Sequence, residues 1–291
     1  MLQTGKLIHC YIFMRKFTLI IKIKTMYTQL DIESHFDGKL KIAYLNQPET
    51  MNALTKPSLA DLKDFVNECS NDPTVRCVAI SGRGRAFCSG QNLDDAFVQG
   101  NEHHDNDIIR RIVTDYYNPL VLEITRCKKP VVALVNGPAV GAGAMLALIC
   151  DFVLANNKAY FAQAFSNIGL IPDTGGTYFL PKLLGRQLAN YLAFTGKKLL
   201  AEESISYGLV AEVFTEEEFN SKSMEILEKV SNMPTVGLKL TKKAFANSYD
   251  NTLKEQLELE GDLQQEAAET EDFKEGVSAF LQKRKPDYKG R

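Results

Sequence analysis

The chain has 291 residues, a formal net charge of -2, and 24% charged against 45% hydrophobic residues, enough apolar material for a core in one large α/β domain or two small ones. That balance supplies no long-range pull toward nucleic acid or an anionic membrane, and no apolar window reaches the length needed to span a bilayer. Six cysteines without a C-x-x-C pair read as reduced, mostly buried thiols.

Residues 1–25 carry Lys6, Arg15, Lys16, Lys22 and Lys24 and no acidic residue. Apolar patches interrupt the charges, so a signal peptide with one continuous apolar core is not indicated, and the segment is Lys-rich without serine, unlike a mitochondrial presequence. Residues 1–26 are read as a basic extension, disordered or preceding a functional start at Met26, with Met1 the alternative start.

From Leu30 onward short apolar runs alternate with amphipathic segments. Lys39–Leu45 alternates as a strand ended by Asn46-Gln47-Pro48, and Pro57–Cys69 places Leu59, Leu62, Phe65 and Val66 at helical spacing. Cys77–Ile80 predicts a buried strand, Ile108–Arg126 a long helix, and Pro130–Val135 another buried strand. Ala142–Cys150 is a helix without a charge, hence buried on most sides, and Phe152–Ala155 follows as a strand. Thr215 can cap a helix whose first turn holds Glu216, Glu217 and Glu218, Pro234 opens another, and Thr252–Glu269 and Glu271–Lys283 add two more. The pattern predicts an α/β core over residues 27–214 and a helical region over 215–291.

Two glycine-containing segments each join a buried strand to a following turn: Ile80–Leu93, containing Ser89-Gly90-Gln91-Asn92-Leu93, and Val135–Met145, containing Val140-Gly141-Ala142-Gly143. Glycines let backbone approach a ligand and expose its N–H groups. Read alone, the pair leaves a phosphate site, an oxyanion site and plain tight packing open. A dinucleotide fingerprint fails because Leu146 stands where a third glycine is needed. His103-His104, with Asp105 and Asp107, has no supporting ligand spacing and reads as a solvated loop, so no metal site is expected.

Together with Leu45–Pro48, Met51–Leu54, Lys129–Ala133, Cys150-Asp151, Gly169–Thr177, Leu180-Pro181 with Gly185, and Glu275–Arg284, these segments resemble, in order over about residues 28–290, the crotonase (enoyl-CoA hydratase/isomerase) superfamily. The resemblance implies the α/β crotonase-like fold of stacked ββα units with a C-terminal helical trimerisation region. It implies an acyl-CoA substrate whose thioester oxygen is held by the backbone N–H groups of Gln91 and Ala142. CoA would be bound through Met51 and Ser89, Gly90, Gln91, Asn92 and Leu93, with Phe280 and Lys283 reaching the CoA of the same or a neighbouring subunit.

The family's hydratases use two glutamates, and the matching positions here are Met145 and Phe165. Neither side chain can activate water or return a proton. Asp173, in Ile171-Pro172-Asp173-Thr174-Gly175-Gly176, stands where the family's double-bond isomerases carry their acid/base, and the pattern is most similar to the phenylacetate-pathway ring isomerase and the Δ3,Δ2-enoyl-CoA isomerases. The expectation is an isomerase that moves a proton between allylic carbons, with Asp173 as shuttle in an apolar surround of Met145, Phe165 and Leu170 that raises its proton affinity. Ile108–Asn118 and Phe161–Ile168 are expected to wall the acyl pocket. Alternatives are a hydratase with relocated acids (Asp94, Asp95 or Asp115), a non-catalytic acyl-CoA-binding member, or an RNA-binding relative, the last opposed by the lack of a basic and aromatic patch. No cofactor beyond the CoA of the substrate is implied. A cytoplasmic homotrimer or dimer of trimers is expected, with an organellar matrix as the alternative compartment.

Overall fold

The computed structural model describes residues 10–15, 18–23, 27–94 and 107–291. An eight-stranded sheet runs in the order β1-β2-β3-β4-β5-β6-β8-β11: Cys10–Arg15, Thr18–Ile23, Leu30–His35, Leu40–Leu45, Cys77–Gly82, Val131–Val135, Phe152–Asn156 and Glu212–Phe214. β1 to β4 pair antiparallel, and β4, β5, β6, β8 and β11 pair parallel. A small second sheet, in the order β10-β9-β7, joins Lys198–Leu200, Tyr160–Ala162 and Ala139–Val140. The extension expected to be disordered over 1–26 thus contains two strands, in agreement with the β-branched and aromatic content of Tyr11-Ile12-Phe13 and Leu19-Ile20-Ile21.

The parallel strands are apolar on both faces because both are covered. One face carries Ala43, Leu45, Val78, Ile80, Val131, Ala133 and Val135 against α1 (Lys56–Asn71), α3 (Asn118–Arg126) and α4 (Ala142–Leu148). The other carries Leu40, Ile42, Cys77, Ala79, Val132 and Leu134 against Phe219 and Leu227. Those two residues belong to α7 (Glu216–Ser231), capped by Thr215, whose hydroxyl accepts from Glu218 N. The helical region predicted from residue 215 therefore gives its first helix to the core, and position 215 is not a boundary in packing.

The predicted long helix is three segments: α2 (Ile108–Ile112), a π-helical turn (Val113–Tyr117) and α3. Asn118 N–H donates to Val113 O, five residues back. Pro119 has no N–H for the carbonyl four residues before it, and its ring would crowd that carbonyl; the wider turn relieves both conflicts. Further along come α5 (Gly176–Thr195), the short α6 (Ala201–Ile205), α8 (Thr235–Asn247), α9 (Leu253–Ala268) and α10 (Glu271–Leu281). The sequence reading did not name β3, α5, α6, β7, β9, β10 or β11. Five of these seven are two to five residues long, below what periodicity resolves.

Candidate active site

Leaving β5, the chain is pinned by Asn52, which is 1% exposed. Asn52 Oδ1 accepts from Gln47 N, and its Nδ2 donates to Arg83 O and Ala86 O, each at 2.9 Å. The turn then lies along residues 51–54. Ser89 N donates to Met51 O (3.0 Å), Leu54 N to Gly90 O (2.7 Å) and Asn92 N to Leu54 O (2.8 Å). In this parallel bridge Leu54 takes both bonds, so the N–H of the opposing residue, Gln91, points the other way.

The second turn is stitched to the first. Phe87 N and Cys88 N donate to Pro138 O, and Val140 N donates to Cys88 O at 2.9 Å. Two glycines make the approach feasible. A Cβ on Gly90 (φ +96°) would stand 2.8 Å from Val140 O, and one on Gly143 would stand 2.4 Å from Cys88 O. Gly141 N donates to Ala162 O, which fixes the turn on β9. Ala142 is the first residue of α4, where an N–H has no intrahelical acceptor. Gln91 and Ala142, on adjoining turns, both line one space.

That space is a cavity of about 320 Å³. Ser89, Gly90 and Gln91 form one side and Val140, Gly141 and Ala142 another; Leu93, Ile109, Ile112, Val113, Phe165, Ile168 and Leu170 make it apolar. Both segments expected to wall the acyl pocket, 108–118 and 161–168, contribute to it. Tyr117, Asn167 and Asp173 supply polar groups, and Asp173 is the sole carboxylate among the described lining residues.

Asp173 lies just ahead of α5 in a turn through Thr174 (φ +52°) and Gly175 (φ +77°). Its carbonyl accepts from Gly176 N (2.7 Å), and its Oδ1 accepts from Thr174 Oγ1 (2.8 Å). Burial pushes its carboxyl above the ordinary range, and the Thr174 hydroxyl opposes this only in part. Thr174 is 1% exposed, a β-branched residue held in the left-handed region by its packing.

Other sequence expectations are redistributed. Phe165 and Leu170 line the cavity, but Met145 does not. It is fully buried beneath the start of α5, its Sδ accepting from Gln163 Nε2 at 3.5 Å, because α4 is enclosed on all sides and turns this residue inward. Met51 is partly exposed at the outer edge of the first turn, and Asn92 contributes backbone bonding to Leu54. Phe280, 82% exposed at the end of α10, and Lys283 are not brought to the cavity within one chain. Asp94 and Asp115 are exposed and do not line it, and Asp115 accepts from Thr114 Oγ1 on the outer side of the π turn. Asp95, His103, His104 and Asp105 lie outside the described residues. Among the described residues no cluster of metal-binding side chains occurs, and no helix is long and apolar enough to cross a membrane.

Sequence reasoning missed Asn52 as the pin of the first turn, and within the 108–118 segment it expected to wall the pocket it did not single out Tyr117. Cys69, Cys77, Cys88, Cys127 and Cys150 are buried free thiols, and burial pushes Cys88, under the first turn, up to about 12.

Comparison with known proteins agrees with this architecture. The family model for enoyl-CoA hydratase/isomerase matches residues 38–291. A 1,2-epoxyphenylacetyl-CoA isomerase of Escherichia coli is 40% identical over 260 residues, covering 89% of this chain and 98% of that protein. A probable enoyl-CoA hydratase of Rhodobacter capsulatus is 38% identical over 252 residues, covering 87% and 95%. Among solved structures, a putative enoyl-CoA hydratase of Streptomyces coelicolor superposes with a TM-score of 0.85 at 29% identity, over 96% of this chain and 100% of that one. On its stitched glycine turns, its sheet and its match over most of its length, the chain belongs to the enoyl-CoA hydratase/isomerase (crotonase) family.

Proposed function

We propose that the protein is an acyl-CoA double-bond isomerase with Asp173 as its single proton carrier. The observation that carries this reading is the placement of one carboxylate, and no second, among the described residues of an apolar cavity that Gln91 and Ala142 also line. With a 3-enoyl-CoA, the Asp173 carboxylate takes a proton from C2. The electron pair moves into the thioester carbonyl, and the resulting oxyanion is held by Gln91 and Ala142 N–H. As the electrons return, the double bond forms between C2 and C3, and the carboxylic acid gives its proton to C4. The charge balances at each step, and one group serves as base and then acid.

Hydratase names also occur among the relatives, so the alternative is hydration of a 2-enoyl-CoA. Water addition needs a group to deprotonate water and a source for the second proton. Phe165 occupies one of the two glutamate positions, and Met145, at the other, faces away from the cavity. The name of the Escherichia coli relative favours isomerisation and leaves straight-chain and ring-derived acyl groups as substrates.

The deciding assay supplies a 3-enoyl-CoA and, separately, a 2-enoyl-CoA, and follows the absorbance of the conjugated thioester. Isomerase action raises it with the first substrate. Rapid loss of it with the second, by hydration, would refute the reading.

The same reading takes CoA at Met51 and Ser89–Leu93 and needs no other cofactor. Assembly as a homotrimer or dimer of trimers is proposed through the apolar side chains exposed on α8, α9 and α10, including Phe245, Leu253, Phe273, Phe280 and Leu281. In such an assembly Phe280 and Lys283 would act on a neighbour's CoA. Sedimentation giving only monomer at all concentrations would contradict it.

A further inference from the structure

Gln91 lines the cavity, its backbone N–H points away from Leu54, and its side chain is held at both ends. Nε2 donates to Asn92 O at 2.9 Å, and Oε1 lies 2.5 Å from Tyr117 Oη. A backbone carbonyl only accepts, so the amide NH₂ must face Asn92 O. The amide oxygen then faces the phenol, and Tyr117 is the donor. Tyr117 is 2% exposed and lines the same cavity. A phenol buried that deeply requires a partner for its O–H, and Gln91 supplies it.

The backbone explains why such an anchor is useful. The peptide plane bearing Gln91 N–H also bears Gly90 O, which is fixed by Leu54 N at 2.7 Å. Gly90 itself has no side chain to limit rotation on the other side of that plane. The Leu54 bond leaves the plane a pivot, and the Tyr117 bond, acting through the Gln91 side chain, removes it. Tyr117 in turn closes the π turn ahead of Pro119. A π turn accommodates one more residue than an α turn, about 100° of helical phase, so this turn sets which way the ring points.

We propose that Tyr117 is a positioning residue of the oxyanion hole: it holds the Gln91 side chain so that Gln91 N–H stays aimed at the substrate oxygen, and it moves no proton itself. The proposal rests on the thioester-enolate reading above.

The test uses acetoacetyl-CoA, a 3-oxoacyl-CoA whose enolate absorbs in the near ultraviolet, so the enolate fraction of the bound probe reports the oxyanion hole without turnover. Wild type should bind it with an enolate band. Tyr117→Phe should lower the bound enolate-to-keto ratio about tenfold, the effect of one hydrogen bond at a fixed site, and change total affinity less than about twofold. In isomerisation the same loss should fall on kcat and leave KM nearly unchanged. Gln91→Ala, at the cavity rim, should reproduce the loss, and the double variant should be no worse than either single one because both break one link. A wild-type band left unchanged by Tyr117→Phe, or losses that add in the double variant, would overturn the positioning role alone. No band in wild type would overturn the enolate reading and the proposal with it.

Discussion

Replacing Asp173 by Asn keeps the size of the side chain and an oxygen to accept from Thr174 Oγ1, so the turn into α5 should be preserved. What disappears is the basic electron pair. In the proposed reaction that pair is used twice, at C2 and, as the acid, at C4, and no other described carboxylate lines the cavity to replace it. General acid–base groups contribute about 10²–10⁴-fold, and loss of both roles argues for the upper part of that range in kcat. In the proposed site the thioester is held by backbone donors, so KM should move less than about threefold. The assay is the rise in conjugated-thioester absorbance from a 3-enoyl-CoA. An Asn variant within about tenfold of wild type would refute the shuttle. The pH dependence follows from the same burial. Asp173 is held above the usual carboxylate value of about 4, and it must be ionised to start, so kcat/KM should rise with pH through that raised value. For stability the sign is opposite. The folded pKa lies above the unfolded one, so stability is full below the unfolded value and is lost as pH rises through the folded value. Asp173→Asn should therefore be more stable than wild type near pH 7 and equal to it near pH 3 in denaturant titrations.

Gly90→Ala should lower stability by about 2 kcal/mol or more and abolish turnover, since its Cβ would stand 2.8 Å from Val140 O at a φ of +96°; a unchanged urea midpoint would contradict the stitched-turn geometry. Met145→Glu should not confer hydration; it buries a carboxylate where Met145 is fully enclosed and should cost about 3 kcal/mol, read as a fall in Tm. Glu33 is pushed up by burial, but hydrogen bonds from His35 and Arg83 outweigh this and hold it at about 2. A depressed folded value gives stability present above the unfolded value and lost as pH falls through the folded one. Arg83→Met should therefore cost about 1–2 kcal/mol near neutrality and flatten the acid limb below about pH 4.5, a pH series of urea midpoints being the check. Thr174→Gly should relieve the strained backbone yet move the acid limb of kcat/KM upward, because the hydroxyl that lowers Asp173 is gone; a limb that stays in place would show that the bond has no electrostatic effect.

The sheet core was legible because its parallel strands are apolar on both faces: Cys77–Ile80, Pro130–Val135 and Phe152–Ala155 each came out within a residue or two of β5, β6 and β8. Thr215 and Thr252 were readable as helix starts because a hydroxyl followed three residues later by Glu caps locally. The two glycine turns were legible as glycine patterns, and reading them as an oxyanion site rests on the family resemblance. Three features were not legible. Met145 looked like a cavity wall because position along α4 does not reveal which neighbours enclose it. Tyr117 was hidden because its orientation depends on the π turn, which the 3.6-residue period does not describe. The placing of Phe280 and Lys283 away from the cavity is a tertiary fact that α10's own sequence cannot contain.

The division of labour between backbone and side chains explains how one fold can carry related reactions. In the proposed reaction the oxyanion donors are main-chain groups, and the turns that carry them are enforced by contacts that only glycine allows, at Gly90 against Val140 O and at Gly143 against Cys88 O. The positions compared for proton transfer lie elsewhere: Met145 is on α4, Phe165 in the turn after β9, and Asp173 in the turn ahead of α5. Without carboxylates at positions 145 and 165, the proposed site keeps the means to form an enolate but not, by the family pattern, the means to deliver water. A single carboxylate at position 173, its proton affinity raised by an apolar cavity, is then sufficient for any reaction whose proton leaves and returns on the same face of the substrate. Reaction type in this chain is thus expected to follow the reach of Asp173 along the acyl group, which the walls at Ile109, Ile112, Phe165 and Leu170 delimit.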